Sequence, residues 1–407
     1  MKHVWILNHY AQEPNGAGGT RHFSLARHLP AYGWNATIIA ASTDHGTGEQ
    51  RLLSSEKKRL QSYDGVPFLW LGARNYSGNG ADRVGNMIDY TRQVLRVDSL
   101  AGIQPPDLVV GSSVHPFAAW AGRRLAKRYR VPFAFEVRDL WPQTLIDMGR
   151  LSHYHPAAIA LRLLERSLYR DAARIIVLLP KANEYIEPLG IPKQKIVWVP
   201  NGVDVERFPV APQNGGGEGF TLMYFGAHGG ANGLDNLLAA MRVIRDECDR
   251  PDIVLRLIGD GPLKASLQAT ARSMGLDNVR FEDPVQKSAI PALAAQADAF
   301  VFNLIDAPVF RYGISSNKLF DFMAAGRPVL FCSAASNNPI SESGCGITVP
   351  PENPRALAAA ILELASASLT RRAEMGAAGR LHLIENYDMN RLSGRFAAAL
   401  DSCLGGA

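Results

Sequence analysis

Cysteine is scarce: four in 407 residues, at Cys248, Cys332, Cys345 and Cys403, with no metal-ligand spacing between them. This argues against a disulfide scaffold or a zinc ribbon and leads us to expect reduced thiols in a cytoplasmic protein. Long apolar runs are also missing, and none approaches the roughly 18–20 residues of a membrane span. The opening MKHVWILNHYAQEP meets polar residues at once, so it reads as a first strand and not as a signal peptide. No G-x-x-x-x-G-K-[ST] occurs and NGAGGT lacks the G-x-G-x-x-G spacing, which weakens P-loop and dinucleotide readings. Basic patches interleaved with aromatics are absent, which disfavours nucleic acid as a partner. No D-x-D stands beside a plausible metal site, so neither a metal nor a cofactor is expected.

What is present is an ordinary globular composition, 47% hydrophobic and 20% charged, long enough for two domains. The charge is uneven. Through Phe208 there are 26 Lys+Arg against 18 Asp+Glu (+8), and the remainder holds 17 against 20 (−3), which sums to the net +5. The basic half concentrates charge in EKKR (Glu56–Arg59) and in GRRLAKRYR, which carries Arg123, Arg124, Lys127, Arg128 and Arg130. Such a run suits an anionic membrane surface or phosphates, and it equally suits a solvated helix face.

The chain begins twice. HVWILNHY, a glycine-containing loop, the helical TRHFSLARHLPAYG and the strand NATIIAAS are followed much later by FTLMYFG, AHGGANG, LDNLLAAMRVIRDE and IVLRLIG. Each series is the opening of a doubly wound parallel sheet. Further strands are expected at DLVVGSS, PFAFEV, RIIVLL and KIVWVP, then at VRFED, AFVFNL and PVLFCS. Pro200–Gly219, with its three consecutive glycines, reads as a linker. The expected class is α/β, two Rossmann-like domains facing across a cleft: residues 1–205 with 386–407 crossing back, and residues 206–385.

The stretch RYGISSNKLFDFMAAGRPVLF (Arg311–Phe331) carries chemistry. Leu319, Phe320, Phe322 and Met323 are at helical spacing, and Gly326 and Pro328 end the helix. Gly313, two serines and Asn317 suit its entry. Lys318 thus falls in the first turn, where the helix dipole disfavours a cation unless an anion sits against the free amides. The expected strand AFVFNL puts this turn at a carboxyl edge, where doubly wound sheets bind ligands. The plainer alternative is a solvated lysine on a surface turn.

VPNGVDVERF, LIGDGP and YGISSNKLFDFMAAGRPVL together resemble family 4 of the glycosyltransferases, retaining enzymes of the GT-B fold. EVRDLWPQTLIDMG (Glu136–Gly149) narrows the resemblance to the WbuB-like branch, which transfers N-acetylated aminosugars in bacterial surface-polysaccharide assembly. The resemblance implies donor contacts from Gly18 and Gly19, from Gly226, and from Ile314, Ser315, Ser316 and Asn317. Asp321 takes the place of the second glutamate of the family's Glu-x7-Glu motif, which binds ribose hydroxyls. Asp260, Gly261 and Pro262, with Pro284 and Val285, match segments flanking the base. His115, Arg138 and Asp139 match the acceptor side, with Asp139 expected to orient Arg138. His115 is also placed to cap the helix after it, and the RDLWP stretch has a purely structural alternative, a buried Arg–Asp pair.

Two departures stand out. The first glutamate of the motif would fall at Gly313, which is alternatively a backbone hinge needing positive φ, and the usual Arg and Lys after the second domain's first strand would fall at Ala227 and Asn232. Lys318 is the cation left to stabilise a leaving diphosphate. The resemblance implies a UDP-sugar donor, a lipid-linked saccharide acceptor, no metal, and an enzyme held peripherally at the inner face of the membrane. A UDP-sugar 2-epimerase of the same fold, or a non-catalytic nucleotide-sugar-binding partner, are the alternatives.

Overall fold

Apart from one hairpin, apolar strands alternate with amphipathic helices along the described residues, so that strand–helix–strand steps lay successive strands parallel in a sheet. The computed structural model describes every residue except 17, 45–47, 77, 79, 114, 210–218, 249, 406 and 407. Its chain divides into two units, Met1–Asn201 with Met389–Ala407, and Gly202–Asp388.

The first unit holds β1 (Lys2–Leu7), β2 (Trp34–Ala41), β3 (Lys58–Tyr63), β4 (Val66–Leu71), β5 (Leu108–Ser112), β6 (Phe133–Val137), β7 (Arg174–Val177) and β8 (Ile196–Trp198). They form one sheet in the order β3-β4-β2-β1-β5-β6-β7-β8, parallel except for the β3–β4 hairpin. Its helices are α1 (Arg21–His28), α2 (Ala81–Leu95), α3 (Pro116–Tyr129), α4 (Gln143–Asp147), α5 (Pro156–Asp171) and α6 (Asn183–Ile186). The final helix, Met389–Leu404, returns to this unit, where Met389, Leu392, Phe396 and Leu400 join Phe23, Leu25 and Leu29 in one buried cluster. Strand order reverses at β1, whose neighbours are β2 and β5.

The second unit holds β9 (Phe220–Phe225), β10 (Ile253–Ile258), β11 (Val279–Glu282), β12 (Ala299–Asn303), β13 (Val329–Cys332) and β14 (Gly346–Val349), in the all-parallel order β11-β10-β9-β12-β13-β14. Around it pack α7 (Leu234–Cys248), α8 (Lys264–Ser273), α9 (Ile290–Ala294), α10 (Asn317–Ala324), α11 (Pro339–Ser343), α12 (Pro354–Ser366) and α13 (Leu369–Asn386). Leu234, Leu237, Leu238, Met241 and Ile244 recur every three or four residues, which is why α7 buries one stripe against the sheet. Here the order reverses at β9, between β10 and β12.

Two readings of the sequence need correction. The β3–β4 hairpin was missed: KRLQSY is polar because β3 is a mostly exposed edge, and VPFLWL carries a proline. The four cysteines are free, in line with the sequence, and three of them are buried. The linker is shorter than Pro200–Gly219: Val203 pairs with Asp388, and Val203, Val205 and Phe208 are buried in the second unit's core. Apolar side chains packed this way belong to a domain. The glycine-rich remainder at 210–218 lies outside the described residues.

Candidate active site

In the second unit the site is built on the loop that follows β9, at the reversal point. Gly226 N donates to Ile258 O at 3.0 Å, His228 N to Asp260 O at 2.8 Å, and Leu263 N to His228 O at 3.0 Å. The loops after β9 and β10 are therefore laced backbone to backbone. A Cβ on Gly259 would stand 2.0 Å from Gly226 O, and one on Gly261 would stand 2.6 Å from His228 O. The glycines of LIGDGP thus admit the neighbouring main chain. Asp260 accepts from Gly261 N at 2.8 Å, and Asp260, Pro262, Pro284 and Val285 are exposed at this edge.

Lys318 reaches this loop from the first turn of α10. Its ammonium donates to the side-chain oxygen of Asn232 and, at 3.0 Å, to the Tyr224 hydroxyl. It also stands 4.7 Å from the Tyr224 ring centroid and 5.3 Å from that of Phe302. Asn232 is itself anchored, donating to Ala227 O at 2.9 Å. Position 232 is where the family pattern has a cation. The cation absent there in sequence is present there in space, delivered by α10. With no carboxylate beside it, burial brings Lys318 down to about 7. Ser316 stands at the N-cap of α10 with no side-chain bond to the first turn, so those amides lack the acceptor a capping serine usually gives.

The sequence reading missed three features and left the role of Gly313 open between two readings. Asn337 accepts from Ile314 N at 2.8 Å and donates to Ile314 O at 3.1 Å. The Ile314 amide is therefore already used, which corrects its expected role as a donor to the diphosphate, and its side chain lies in the core. Gly313 has φ +94° and ψ −178°, a region open essentially to glycine alone. Backbone shape alone requires glycine there. Asp321 is drawn up by burial and down by the charges of Lys287 and Arg207, neither of which was singled out. His228 is fully buried and neither ring nitrogen has a partner; its only signal was a histidine inside AHGG.

In the first unit the residues also gather at the reversal point. His9, after β1, and His115, after β5, share a ring-to-ring hydrogen bond of 2.6 Å. His115 occupies the N-cap of α3 without capping it, and burial, with Arg83 adding to it, lowers its pKa to about 3. Gly19 lies against Arg138: a Cβ there would be 3.7 Å from a guanidinium nitrogen and 3.4 Å from Tyr10 O. Gly18 takes φ +104°. Asp139 makes no salt bridge with Arg138 among the described residues, but burial raises its carboxyl and the charge of Arg138 acts against that rise. The main-chain amide of Arg138 donates to Ser113 Oγ at 3.3 Å.

Below these residues lies a charge network that the sequence did not disclose. Glu136 accepts from Arg21 at 3.0 Å and from Ser112 at 2.6 Å, and pairs with His22 at 2.6 Å. Its carboxylate is held well below the ordinary range by His22 and Arg21 against the cost of burial. Arg21 also donates to the carbonyls of Val199 (2.8 Å) and Pro200.

The expected basic patch is only partly free. Arg123 pairs with Asp171 at 2.9 Å and Arg128 donates to Leu95 O at 3.0 Å, whereas Arg124, Lys127 and Arg130 are exposed. No helix among the described residues is long and apolar enough to cross a membrane.

Residues 16–202 match the glycosyl transferase 4-like domain and residues 219–367 match glycosyl transferases group 1. The Pseudomonas aeruginosa protein WbjE is 26% identical over 67% of this chain and 69% of its own length. WcaI of Escherichia coli K12, named for colanic acid biosynthesis, is 24% identical over 63% of this chain and 65% of its own. Among solved structures, sucrose-phosphate synthase from Thermosynechococcus elongatus superposes with a TM-score of 0.77 at 16% identity, covering 100% of both chains. Anabaena HepE, solved with UDP and glucose, gives 0.69 at 16% identity, covering 98% of this chain and 99% of its own. These structural likenesses establish the fold, and the two family matches, one in each unit, establish the rest: the chain is a glycosyltransferase of group 1, family 4, with the GT-B fold.

Proposed function

We propose that the protein transfers a sugar with retention from a UDP-sugar to a hydroxyl of a lipid-linked saccharide during bacterial polysaccharide assembly. The donor sugar is proposed to be an N-acetylated aminosugar or a deoxy relative. The observation that carries the reading is the seat of Lys318, a lone ammonium at the reversal point of the second sheet beside the uncapped first turn of α10. That pairing suits a diphosphate. HepE, solved with UDP and glucose, and WcaI, named for colanic acid biosynthesis, support the nucleotide and the pathway class.

In this reading the bond from the anomeric carbon to the diphosphate oxygen breaks as the acceptor hydroxyl adds from the same face. The acceptor's proton passes to the departing phosphate oxygen. Lys318 and the amides of Asn317 and Lys318 hold the charge that develops there. Asp321 receives the ribose hydroxyls, and Asp260, Gly261, Pro262 and Val285 border the base beyond Gly226. Ser315 and Ser316 line the phosphate side. Within the first unit, Gly18 and Gly19 are assigned to donor contact, and Arg138 and the neutral His115 to holding the acceptor. Purified protein incubated with UDP-N-acetylglucosamine and a lipid-linked acceptor should release UDP. A new sugar nucleotide formed without acceptor would establish the epimerase instead. Binding of UDP with neither transfer nor donor hydrolysis would leave a non-catalytic partner.

A further inference from the structure

The outward stripe of α5 breaks the usual pattern of an amphipathic helix. Its inward face buries Ala158, Glu165, Leu168 and Tyr169. Its outward face, where polar residues belong, carries Ile159 at 49% exposed and Leu163 at 64%, four residues apart and so in line. Arg166 and Arg170 continue the same line, both exposed. The loop before the helix presents Tyr154 at 89% exposed. That loop is braced: Arg162 bonds His153 Nδ1 at 2.6 Å and His153 O at 3.3 Å, and His155 accepts from Ala157 N at 3.1 Å.

Acidic charge is withdrawn from this surface. Glu165 points inward, accepting from the hydroxyls of Tyr169 (2.8 Å) and Tyr185 (2.9 Å). Asp171 is paired with Arg123 of α3, the adjoining helix. The same α3 adds the exposed cations Arg124 and Lys127. The face is therefore apolar at one end, cationic at the other, and without unpaired acid on α5. Because α5 joins the parallel neighbours β6 and β7, it runs antiparallel to them, and its apolar end lies at the carboxyl edge that bears Arg138.

We propose that α5, with the Tyr154 loop, is the element that lays the first unit on an anionic bilayer. Tyr154, Ile159 and Leu163 enter the headgroup boundary while Arg166, Arg170, Arg124 and Lys127 meet lipid phosphates. This deepens the reading of a lipid-linked acceptor and rests on it for its purpose. The occupant is a lipid surface and not a second copy, because this patch would repel its like.

Sedimentation of the full chain with phosphatidylcholine vesicles, with and without phosphatidylglycerol, tests it without donor or acceptor, so its failure is separable from failure of the transferase reading. Binding is expected to need phosphatidylglycerol and to weaken with salt. Ile159→Asp with Leu163→Asp should lower partitioning about tenfold or more, and Arg166→Glu with Arg170→Glu should remove the preference for anionic lipid. Leu60→Asp, at a comparably exposed site on β3, should bind as the parent does, and melting temperatures should show all variants folded. Absence of vesicle binding by the parent, or undiminished binding by the Ile159/Leu163 variant, overturns the proposal. So does light scattering that shows a dimer broken by Leu163→Asp.

Discussion

Lys318 and Asn232 lie on different elements of the second unit, yet the ammonium of one is seated on the side-chain oxygen of the other. A neutral seat keeps the lysine available: a carboxylate there would hold the charge that an incoming diphosphate needs. Lys318→Met should lower turnover about 10²–10³-fold with little change in melting temperature, and Lys318→Arg should rescue only in part because a guanidinium differs in reach and shape. Asn232→Asp should weaken donor binding by giving the ammonium an internal partner. Steady-state kinetics with a UDP-sugar check all three, and near-parental turnover in Lys318→Met would remove the lysine from the chemistry.

The same seat predicts a pH dependence. Lys318 titrates at about 7 in the free protein, and only its protonated form neutralises a diphosphate. Donor affinity should fall as pH rises through and beyond that value, and the fall should vanish in Lys318→Arg. Stability runs the other way. Between about 7 and the ordinary lysine value of 10.5 the unfolded chain binds more protons than the folded one, so this group lets stability rise with pH across that window. Neighbouring His228 is lowered by burial and by Lys264 and Lys318, with Asp260 opposing. Donor KM measured from about pH 6 to 9, with melting curves over the same range, tests both signs.

Gly313→Ala should destabilise the protein by about 1–3 kcal/mol, because the backbone there is open essentially to glycine alone. The cost should appear in the melting temperature with or without UDP. Gly313→Glu should show the same loss, since both carry the same Cβ. An alanine variant as stable as the parent would return this position to donor selection.

Glu136→Gln should cost about 3–5 kcal/mol by leaving the Arg21 charge buried without its counter-ion. Urea unfolding of the variant checks this. The carboxylate is depressed in the folded state, so its contribution is complete above the ordinary glutamate range and is lost as pH falls through the folded value. The parent should therefore be more acid-sensitive than Glu136→Gln.

Much of the architecture was legible because it rests on local pattern. The buried strand FTLMYFG, the three-and-four spacing of α7, and the glycine and proline that end α10 each announce themselves within a dozen or so residues. The edge strand β3 did not, because a mostly exposed strand has little apolar signal to read. At the site, capping chemistry was enough to single out Lys318, but its seat was not visible: Tyr224 and Phe302 look like any strand aromatics until the sheet order brings them together. The Ile314–Asn337 clamp and the Glu136 network are likewise long-range pairings of ordinary polar residues, with no local spacing to betray them. Gly313 had two readings, a lost carboxylate and a positive-φ hinge, because a sequence shows which side chain is missing and not which backbone angle is required.

The lacing of the loops after β9 and β10 bears on attempts to change which donor is used. Gly259 and Gly261 are cut to fit the main chain at Gly226 and His228, so the two segments form a matched set. A chimaera that imports one loop from a relative and keeps the other would force carbonyls into occupied space and report a folding defect as a change in specificity. Exchanged together, the pair can carry its own geometry into a new host. Recombination breakpoints for this enzyme therefore belong outside the span from Gly226 to Leu263.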